Sequence, residues 1–276
     1  YILKYGSEFL DHSSNANYGN NSTYFEWNAT YTRSFGDHDL DLLFLYNQRS
    51  YDWGDIQAKR TQGIAGRASY TYDRRYVGEF NFGYNGSENF AKGKRFGFFP
   101  SFALGWLLSE EKFMENARNT LNKLKFRASI GKVGNDDIGG RRFAYITTIN
   151  SNANGYNFGY DGSTYFQGIQ EGEIGVSDLT WETSLKTNLG LELGLWNQLE
   201  LQFDVFKEHR TNIFMQRATI PGQAGFISNP YANYGEVDNK GFDASLVYNK
   251  QINKDWFVSF RANVTYAKNE VLERDE

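Results

Sequence analysis

The chain has 276 residues, a formal net charge of −4 and a sequence pI near 5.6. Because it has no basic excess to neutralise a phosphate backbone, the composition argues against a nucleic-acid partner. Cysteine is absent, which excludes disulfides, thiolate metal sites and a cysteine nucleophile.

The remaining composition favours β-structure. Aromatic residues make up 17% of the chain and only three prolines occur, as expected of a strand-rich protein. No run of 18 apolar residues is present, so the sequence predicts no transmembrane helix. A mean hydropathy of −0.63 still allows a membrane barrel, because only every second residue of a barrel strand meets lipid. Residues 1–5 do not open a signal peptide of the usual design.

Ten stretches alternate apolar and polar side chains, which predicts ten β-strands. In chain order they cover 22–34, 38–50, 61–72, 76–87, 96–108, 123–133, 182–196, 198–211, 236–249 and 255–270. The seventh is among the clearest, because Leu185, Leu189 and Leu191 share one phase while Lys186 and Glu192 share the other. Alternation alone also suits a soluble sandwich, so it does not decide between the two classes.

Strand length and connection lengths favour a transmembrane barrel. Twelve residues rise roughly 40 Å, which a tilt near 45° reduces to about the hydrocarbon thickness. Short connections alternate strictly with long ones, which places all long loops at one end of the sheet. Outer-membrane barrels have this arrangement, with short periplasmic turns and long extracellular loops. The sequence therefore predicts an all-β, antiparallel transmembrane barrel.

One connection at the short-turn end, 109–122, is longer than the others. Ser109 is a candidate helix cap, and Phe113, Ala117 and Leu121 recur at helical spacing. We expect one short periplasmic helix that packs under the wall. The tryptophans flank the strands and suggest an interfacial aromatic girdle: Trp106, Trp196 and Trp256 at the short-turn end, and Trp27, Trp53 and Trp181 at the long-loop end.

Several segments, in order from about residue 70 to the end, resemble SusC/RagA-type TonB-linked outer-membrane transporters. The motifs are Arg75-Tyr76-Val77-Gly78-Glu79-Phe80, Arg95-Phe96-Gly97-Phe98-Phe99-Pro100, Ser109-Glu110-Glu111-Lys112-Phe113, Leu124-Lys125-Phe126-Arg127, Gly134-Asn135-Asp136-Asp137-Ile138-Gly139, Leu179-Thr180-Trp181-Glu182 and Asn233-Tyr234-Gly235-Glu236-Val237-Asp238-Asn239-Lys240-Gly241-Phe242. Each motif is weak alone, but the ordered series is specific. Asp243 is a small departure, because Glu is expected to be commoner there.

The resemblance implies a 22-stranded barrel with an N-terminal plug, a TonB-contact segment and a closing C-terminal strand. None of these additional parts is visible, so residues 1–276 are interpreted as about ten strands from the interior of one barrel domain. The resemblance also implies TonB-dependent import of oligosaccharides or peptides across the outer membrane of a Gram-negative bacterium. A SusD-like surface lipoprotein, TonB, the lipid bilayer and an oligosaccharide or peptide are the implied partners. No cofactor is expected.

The loop 134–181 is the main candidate for ligand contact. Aromatic faces beside Asn and Gly suit sugar rings or peptide backbones. The candidates are Tyr145, Tyr156, Phe158, Tyr160, Tyr165 and Phe166, joined by Tyr231 and Tyr234 from the loop 212–235. These aromatics could equally pack the loops onto the barrel mouth.

Metal binding has weak support. The run 135–140 contains cation-binding oxygens but lacks the spacing of a calcium loop, and its residues are common in turns. Asp37, Asp39 and Asp41 are interpreted as solvated charges near a turn, and His38 has no second ligand nearby. We predict no metal site. Six charges are expected to face the lumen, where they line a polar path, clasp a plug or are simply hydrated: Arg67, Glu79, Arg127, Glu192, Asp204 and Arg261.

Catalysis also has little support, because His12, His38 and His209 are dispersed and no nucleophile elbow, His-Glu-x-x-His or phosphate loop is present. An outer-membrane barrel enzyme of protease or lipase type and a soluble all-β binding module remain the alternatives. The enzyme requires reactive groups that converge at the barrel rim. The soluble module requires the apolar phase to lie inside the protein.

Overall fold

The computed structural model describes residues 19–52 and 58–275. Most of the described residues lie in one antiparallel sheet of ten strands and one separate hairpin. The strands are β1 (Asn21–Phe35), β2 (His38–Asp52), β3 (Lys59–Tyr72), β4 (Tyr76–Ser87), β5 (Phe96–Leu107), β6 (Leu121–Asn135), β7 (Ile149–Phe158), β8 (Thr164–Glu171), β9 (Glu182–Leu195), β10 (Leu199–Gln216), β11 (Tyr231–Gln251) and β12 (Phe257–Glu273). The all-β prediction is confirmed, and ten of these strands correspond to the ten alternating stretches.

The ten-stranded sheet follows chain order, β1-β2-β3-β4-β5-β6-β9-β10-β11-β12. Each strand therefore pairs with the strand before and after it, except where β7 and β8 form a hairpin between β6 and β9. Among the described residues, β1 pairs only with β2 and β12 only with β11. The sheet is a wall with two open edges.

Alternation gives the wall one apolar and one polar face, because successive side chains of a strand point to opposite sides. On β10, Leu199, Phe203 and Val205 lie on the apolar face, and Gln202 and Asp204 lie on the polar one. Phe203 touches Phe242 on β11, and Phe242 touches Tyr266 on β12, with ring centroids 5.9 and 5.8 Å apart. The apolar face thus continues across strands as contacting side chains.

Two strand ends differ from the sequence prediction. β10 extends to Gln216 and β11 begins at Tyr231, so the connection predicted at 212–235 contains only residues 217–230. Asn212 has a positive φ of 58°, and the register shifts between Arg210 and Ile213. A β-bulge accommodates Asn212, a residue type that is common in turns, and strand pairing therefore continues beyond it.

The expected helix in 109–122 is wrong in detail. The segment contains two 3₁₀ turns, Leu108–Glu110 and Lys112–Ala117, and no side-chain cap from Ser109. Phe113 is 70% exposed and does not pack under the wall. Glu111 is extended between the two turns, and this break prevents a continuous α-helix.

The extended conformation of Glu111 has a clear cause. Its carboxylate accepts hydrogen bonds from Tyr76 Oη at 2.6 Å, Trp106 Nε1 at 3.0 Å and Arg75 Nη1 at 3.1 Å. The bonds from Tyr76 and Trp106 hold the pKa of Glu111 below its usual value. Glu111 therefore ties the connection to the ends of β4 and β5.

Aromatic rings form a row along the short-turn end of β1 to β5. Ring centroids lie 5.4 Å apart for Phe35 and His38, 5.0 Å for His38 and Tyr72, 6.3 Å for Tyr72 and Tyr76, and 6.4 Å for Tyr76 and Trp106. This row fits an interfacial girdle. His38 Nδ1 also lies 2.5 Å from Tyr70 Oη, so His38 is part of the row.

The girdle interpretation is wrong for Trp181. Its side chain is buried, and its Nε1 donates to the Arg95 carbonyl at 3.3 Å. A tryptophan at a strand end packs inward when a folded loop covers it, as happens here. Trp53, His12 and residues 1–5 lie outside the described residues. Within the described part, no helix combines the length and apolar character that crossing a membrane requires.

Candidate functional site at the loop end of the wall

The connection between β6 and β9 has a packed base. Its buried residues are Phe90, Ile138, Val176, Leu179 and Trp181, drawn from this connection and from the β4–β5 loop. Phe99 contributes from the wall, with its ring centroid 5.2 Å from that of Trp181. Among the described residues this cluster is the principal buried core, and it fixes the start and end of the long connection.

Polar contacts reinforce this base. Ser87 Oγ donates to Asp136 Oδ2 at 2.6 Å, and Asn89 Nδ2 donates to the Asp136 carbonyl at 2.9 Å. Asn135 Oδ1 accepts from the Asp137 amide at 3.1 Å, and Asp137 Oδ1 accepts from the Gly139 amide at 3.0 Å. The run 135–140 is therefore a chain of turns, as the sequence favoured. In residues 19–52 and 58–275, no three metal-ligating side chains converge.

Five of the eight candidate ligand-binding residues lie on the β7–β8 hairpin. Tyr156 pairs with Phe166 across the two strands, and Phe158 contacts both rings, with centroids 5.3 Å from Tyr156 and 5.5 Å from Phe166. Tyr160 lies in the turn, and the Tyr165 hydroxyl accepts from the Gly155 amide at 2.9 Å. All five are exposed, so the hairpin presents aromatic surface to solvent.

The other three candidates lie nearer the base. Tyr145 packs against the buried cluster. Tyr231 stacks on Phe214 with centroids 5.1 Å apart, and the Arg141 guanidinium lies 4.1 Å from the Tyr231 ring centre. Tyr234 is more exposed and lies under Arg217 at 4.9 Å. The structure thus brings five candidates together on the hairpin and separates three from them.

The polar face of the wall carries an ion-pair network across three strands. Arg127 on β6 reaches Asp204 on β10 at 2.9 Å by passing over Gly190 of the intervening strand β9. Glu192 lies 3.0 Å from Arg127 and 2.7 Å from Lys123. Five of the six charges predicted to face the lumen thus form ion pairs: Arg127, Glu192 and Asp204 belong to this network, and Arg67 and Glu79 form a separate pair at 2.8 Å. A groove of about 380 Å³, lined by both charged and apolar residues, adjoins it.

A larger groove of about 680 Å³ lies across the wall from the network and is lined mainly by apolar side chains, among them Leu104, Trp106 and Leu189. These residues belong to the apolar face. A water-soluble ligand would reach the polar face and the loops, so we assign no ligand-binding role to this groove.

A family model described as "TonB dependent receptor-like, beta-barrel" matches residues 3–275. The chain belongs to this TonB-dependent receptor β-barrel family. Family members are outer-membrane proteins of Gram-negative bacteria, and the apolar face is accordingly the face that meets lipid in such barrels. The resemblance to SusC/RagA-type transporters is confirmed by the relatives described next.

Three relatives define the neighbourhood within the TonB-dependent receptor family. TonB-dependent receptor P3 of Formosa agariphila is 28% identical over 88% of this chain and 26% of the relative. TonB-dependent receptor SusC of Bacteroides thetaiotaomicron is 31% identical over 75% of this chain and 20% of the relative. The chain therefore spans about a quarter or less of the curated relatives it matches. A RagAB peptide importer structure has the same fold, with a TM-score of 0.76 and 23% identity over 91% of this chain and 30% of that one.

The β7–β8 hairpin is the element of the candidate site that the strand prediction missed. Its strands have Asn and Gly at many positions, and the register shifts twice, between Asn150 and Ala153 and between Ala153 and Tyr156. Bulges break the strict alternation on which strand prediction depends. The sequence signal for the hairpin was a pair of glycines, Gly159 and Gly162, between two aromatic runs. In the structure both glycines have a positive φ, as in a tight turn.

Proposed function

We propose that this chain forms part of the barrel wall of a TonB-dependent outer-membrane transporter that imports oligosaccharides or peptides as a SusC-like subunit. The main support is one arrangement in the wall: an apolar face, an ion-paired polar face, and folded loops at one end. A transporter wall needs this combination, because one face meets lipid and the other a hydrated path.

Energy coupling is the first part of the proposal to test. In the full-length protein, TonB would transmit the inner-membrane proton gradient to a plug inside the barrel. We expect deletion of the TonB-contact segment to abolish accumulation of a labelled substrate while surface binding continues. Equal uptake with and without that segment would contradict energy coupling.

The aromatic surface of the hairpin is the proposed ligand contact. Sugar rings and peptide side chains have apolar faces that stack on aromatic rings. For comparison, aromatic pairs contribute roughly 0.5–1.5 kcal/mol each beyond the area that they bury. Tyr156, Phe158 and Phe166 form one contacting cluster, and they are better placed for a shared ligand than Tyr145 or Tyr231.

The triple substitution Tyr156→Ala, Phe158→Ala and Phe166→Ala in the full-length protein would test this contact. The expected result is a loss of ligand affinity of about tenfold or more, measured with panels of oligosaccharides and oligopeptides. Ile149→Ala with Ile169→Ala is the matched control, because both are exposed aliphatic residues of the same hairpin. Equal losses in both variants would indicate general disruption of the hairpin.

A SusD-like surface lipoprotein is the proposed partner at the loop end. The likeness to SusC and to the RagAB importer supports this choice. Transport is favoured over catalysis, because His38 is engaged with Tyr70 at 2.5 Å and His209 with Asp238 at 2.6 Å, at opposite ends of the wall. Co-purification of the full-length protein with the neighbouring lipoprotein tests the partner.

A further inference from the structure

Three lysines form a row on the apolar face of β10, β11 and β12. Lys207 is directly opposite Lys240, and Lys240 is directly opposite Lys268. Each comes two residues along its strand from an apolar residue of the same face, namely Val205, Phe242 and Tyr266. The lipid-facing side therefore changes from apolar to basic at the same register on three neighbouring strands.

This row is electrostatically unfavourable by itself. Residues directly opposite on adjacent strands have Cβ atoms only about 5 Å apart, and like charges in that position destabilise the pair. The protein supplies partial compensation. Lys207 Nζ lies 3.0 Å from Asp238 Oδ2, and Lys240 Nζ lies 3.8 Å from Glu270 Oε2.

The compensation is incomplete. The two carboxylates face three lysines, and Asp238 also contacts His209 Nδ1 at 2.6 Å. Lys268 forms no salt bridge within the described part of the chain. The Lys207 and Lys240 side chains are more than half exposed, so their ion pairs are weak and their ammonium groups stay accessible. The row keeps a net positive charge that can bind an external anion.

The position of the row identifies the class of anion. The lysines follow the apolar band toward the loop end, which is the extracellular end in barrels of this kind. Lysine side chains at such a boundary bury their methylene stems and extend their ammonium groups toward the headgroups. On the same register line, β6, β5 and β4 carry the apolar residues Ile130, Phe102 and Phe80.

We propose that Lys207, Lys240 and Lys268 bind the phosphate groups of phosphorylated lipids in the outer leaflet. Lipid phosphates supply the missing negative charge, and the adjacent Phe242 and Tyr266 contact the acyl chains below. The charge complementarity and the apolar continuation together favour a lipid over a soluble anion. This inference depends on the proposed outer-membrane location.

The test uses the full-length protein in neutral phosphatidylcholine vesicles that contain bisphosphorylated lipid A. The variant replaces all three lysines with Gln. We expect it to retain at least about tenfold less lipid A after purification, measured by mass spectrometry, because each lysine near a membrane surface adds to anion attraction. A control variant replaces Lys59, Lys92 and Lys186 with Gln. These lysines lie outside the row, and their replacement removes the same amount of charge.

Equal retention of lipid A by the wild type and the row variant would overturn the proposal, as would an equal loss in the control. Equal binding of dephosphorylated lipid A would show that acyl chains alone are recognised. Displacement by inorganic phosphate would indicate a soluble anion and would also overturn it. Flotation of the wild type with vesicles distinguishes a failure of the proposed function from a failure of this inference. If the wild type does not float, the outer-membrane function is contradicted. If it floats but the row variant retains as much lipid A as the wild type, only the role of the lysine row is contradicted.

Discussion

Gly190 shows how one missing side chain shapes the polar face. A Cβ atom at this position would lie 2.5 Å from Asp204 Oδ1 and 3.0 Å from the Arg127 guanidinium. The ion pair between β6 and β10 therefore needs a glycine on the strand between them. Gly78 provides the contrast, because a Cβ there would meet only a Leu104 methyl at 3.8 Å.

We predict that Gly190→Ala lowers the free energy of unfolding by about 1–3 kcal/mol, the usual cost of overpacking. Gly78→Ala is the matched control and should change it by about 0.5 kcal/mol or less. Urea unfolding of the full-length protein from lipid vesicles measures both. Equal stability of the two variants would show that the Arg127–Asp204 pair does not depend on the space above Gly190.

Asp275 holds the start of the β10–β11 loop. Its carboxylate accepts from Arg217 Nε at 2.6 Å and from the Ala218 amide at 2.8 Å, and it also contacts the Thr219 hydroxyl. The bonds from Arg217 and Thr219 lower the pKa of Asp275 from 3.8 to about 2. The ionised form is therefore favoured in the folded protein.

Because the folded-state pKa lies below the unfolded value, the Asp275 contacts stabilise the loop above about pH 4. The contribution should be lost as the pH falls from about 4 toward 2. We predict that proteolysis by pepsin within 217–230 increases over this interval. Asp275→Asn should make cleavage high at every pH in the interval, whereas Asp255→Asn, in the opposite turn, should behave as the wild type.

The strands place these side chains through alternation and register. β10 is 18 residues long and β11 is 21, so both are longer than the apolar stretch that each contributes. Lys207 follows the apolar series Leu199, Leu201, Phe203 and Val205 of β10, and the strand continues past a bulge to Gln216. Strand length alone therefore overestimates the height of the lipid-facing band.

We predict that one added charge destabilises the protein at one position of β10 and has little effect at the neighbouring position. Phe203→Arg puts a cation on the lipid-facing side and should lower the free energy of unfolding in vesicles by about 2–4 kcal/mol. Gln202→Arg adds the same charge to the polar face and should be nearly neutral. If both variants are equally stable in vesicles, the apolar face does not meet lipid.

At the scale of the whole molecule, the ten-stranded sheet needs further strands or a partner at its edges. β1 and β12 each pair on one side only among the described residues, and their backbone groups on the other side are unsatisfied by this sheet. Exposed backbone donors and acceptors in lipid are strongly unfavourable.

We predict that the 276-residue chain, expressed alone in detergent, associates through these edges and elutes as a mixture of oligomers. Light scattering coupled to size-exclusion chromatography measures the mass. The full-length protein in the same detergent is the control. A stable monomer with the strand content of this sheet would show that the edges are satisfied in another way.

The ten strands and the two faces of the sheet followed from sequence alone, because alternation is a local property, although β10 ends five residues later and β11 begins five residues earlier than predicted. The 3₁₀ turns around Glu111 could not be predicted, since they depend on Tyr76 and Trp106 from other strands. The hairpin was hidden by its bulges. Whether the hairpin aromatics contact ligand stays a prediction.

Alternation and connection lengths were enough to predict an antiparallel wall with long loops at one end, and the ordered motifs indicated the family. The aromatic residues that pack and those that are exposed could be told apart from the folded chain alone. Tyr231 stacks on Phe214, whereas Tyr156 and Phe166 project on the hairpin. The physical reason is that alternation encodes the face of a residue, but its neighbours on other strands follow from register and bulges.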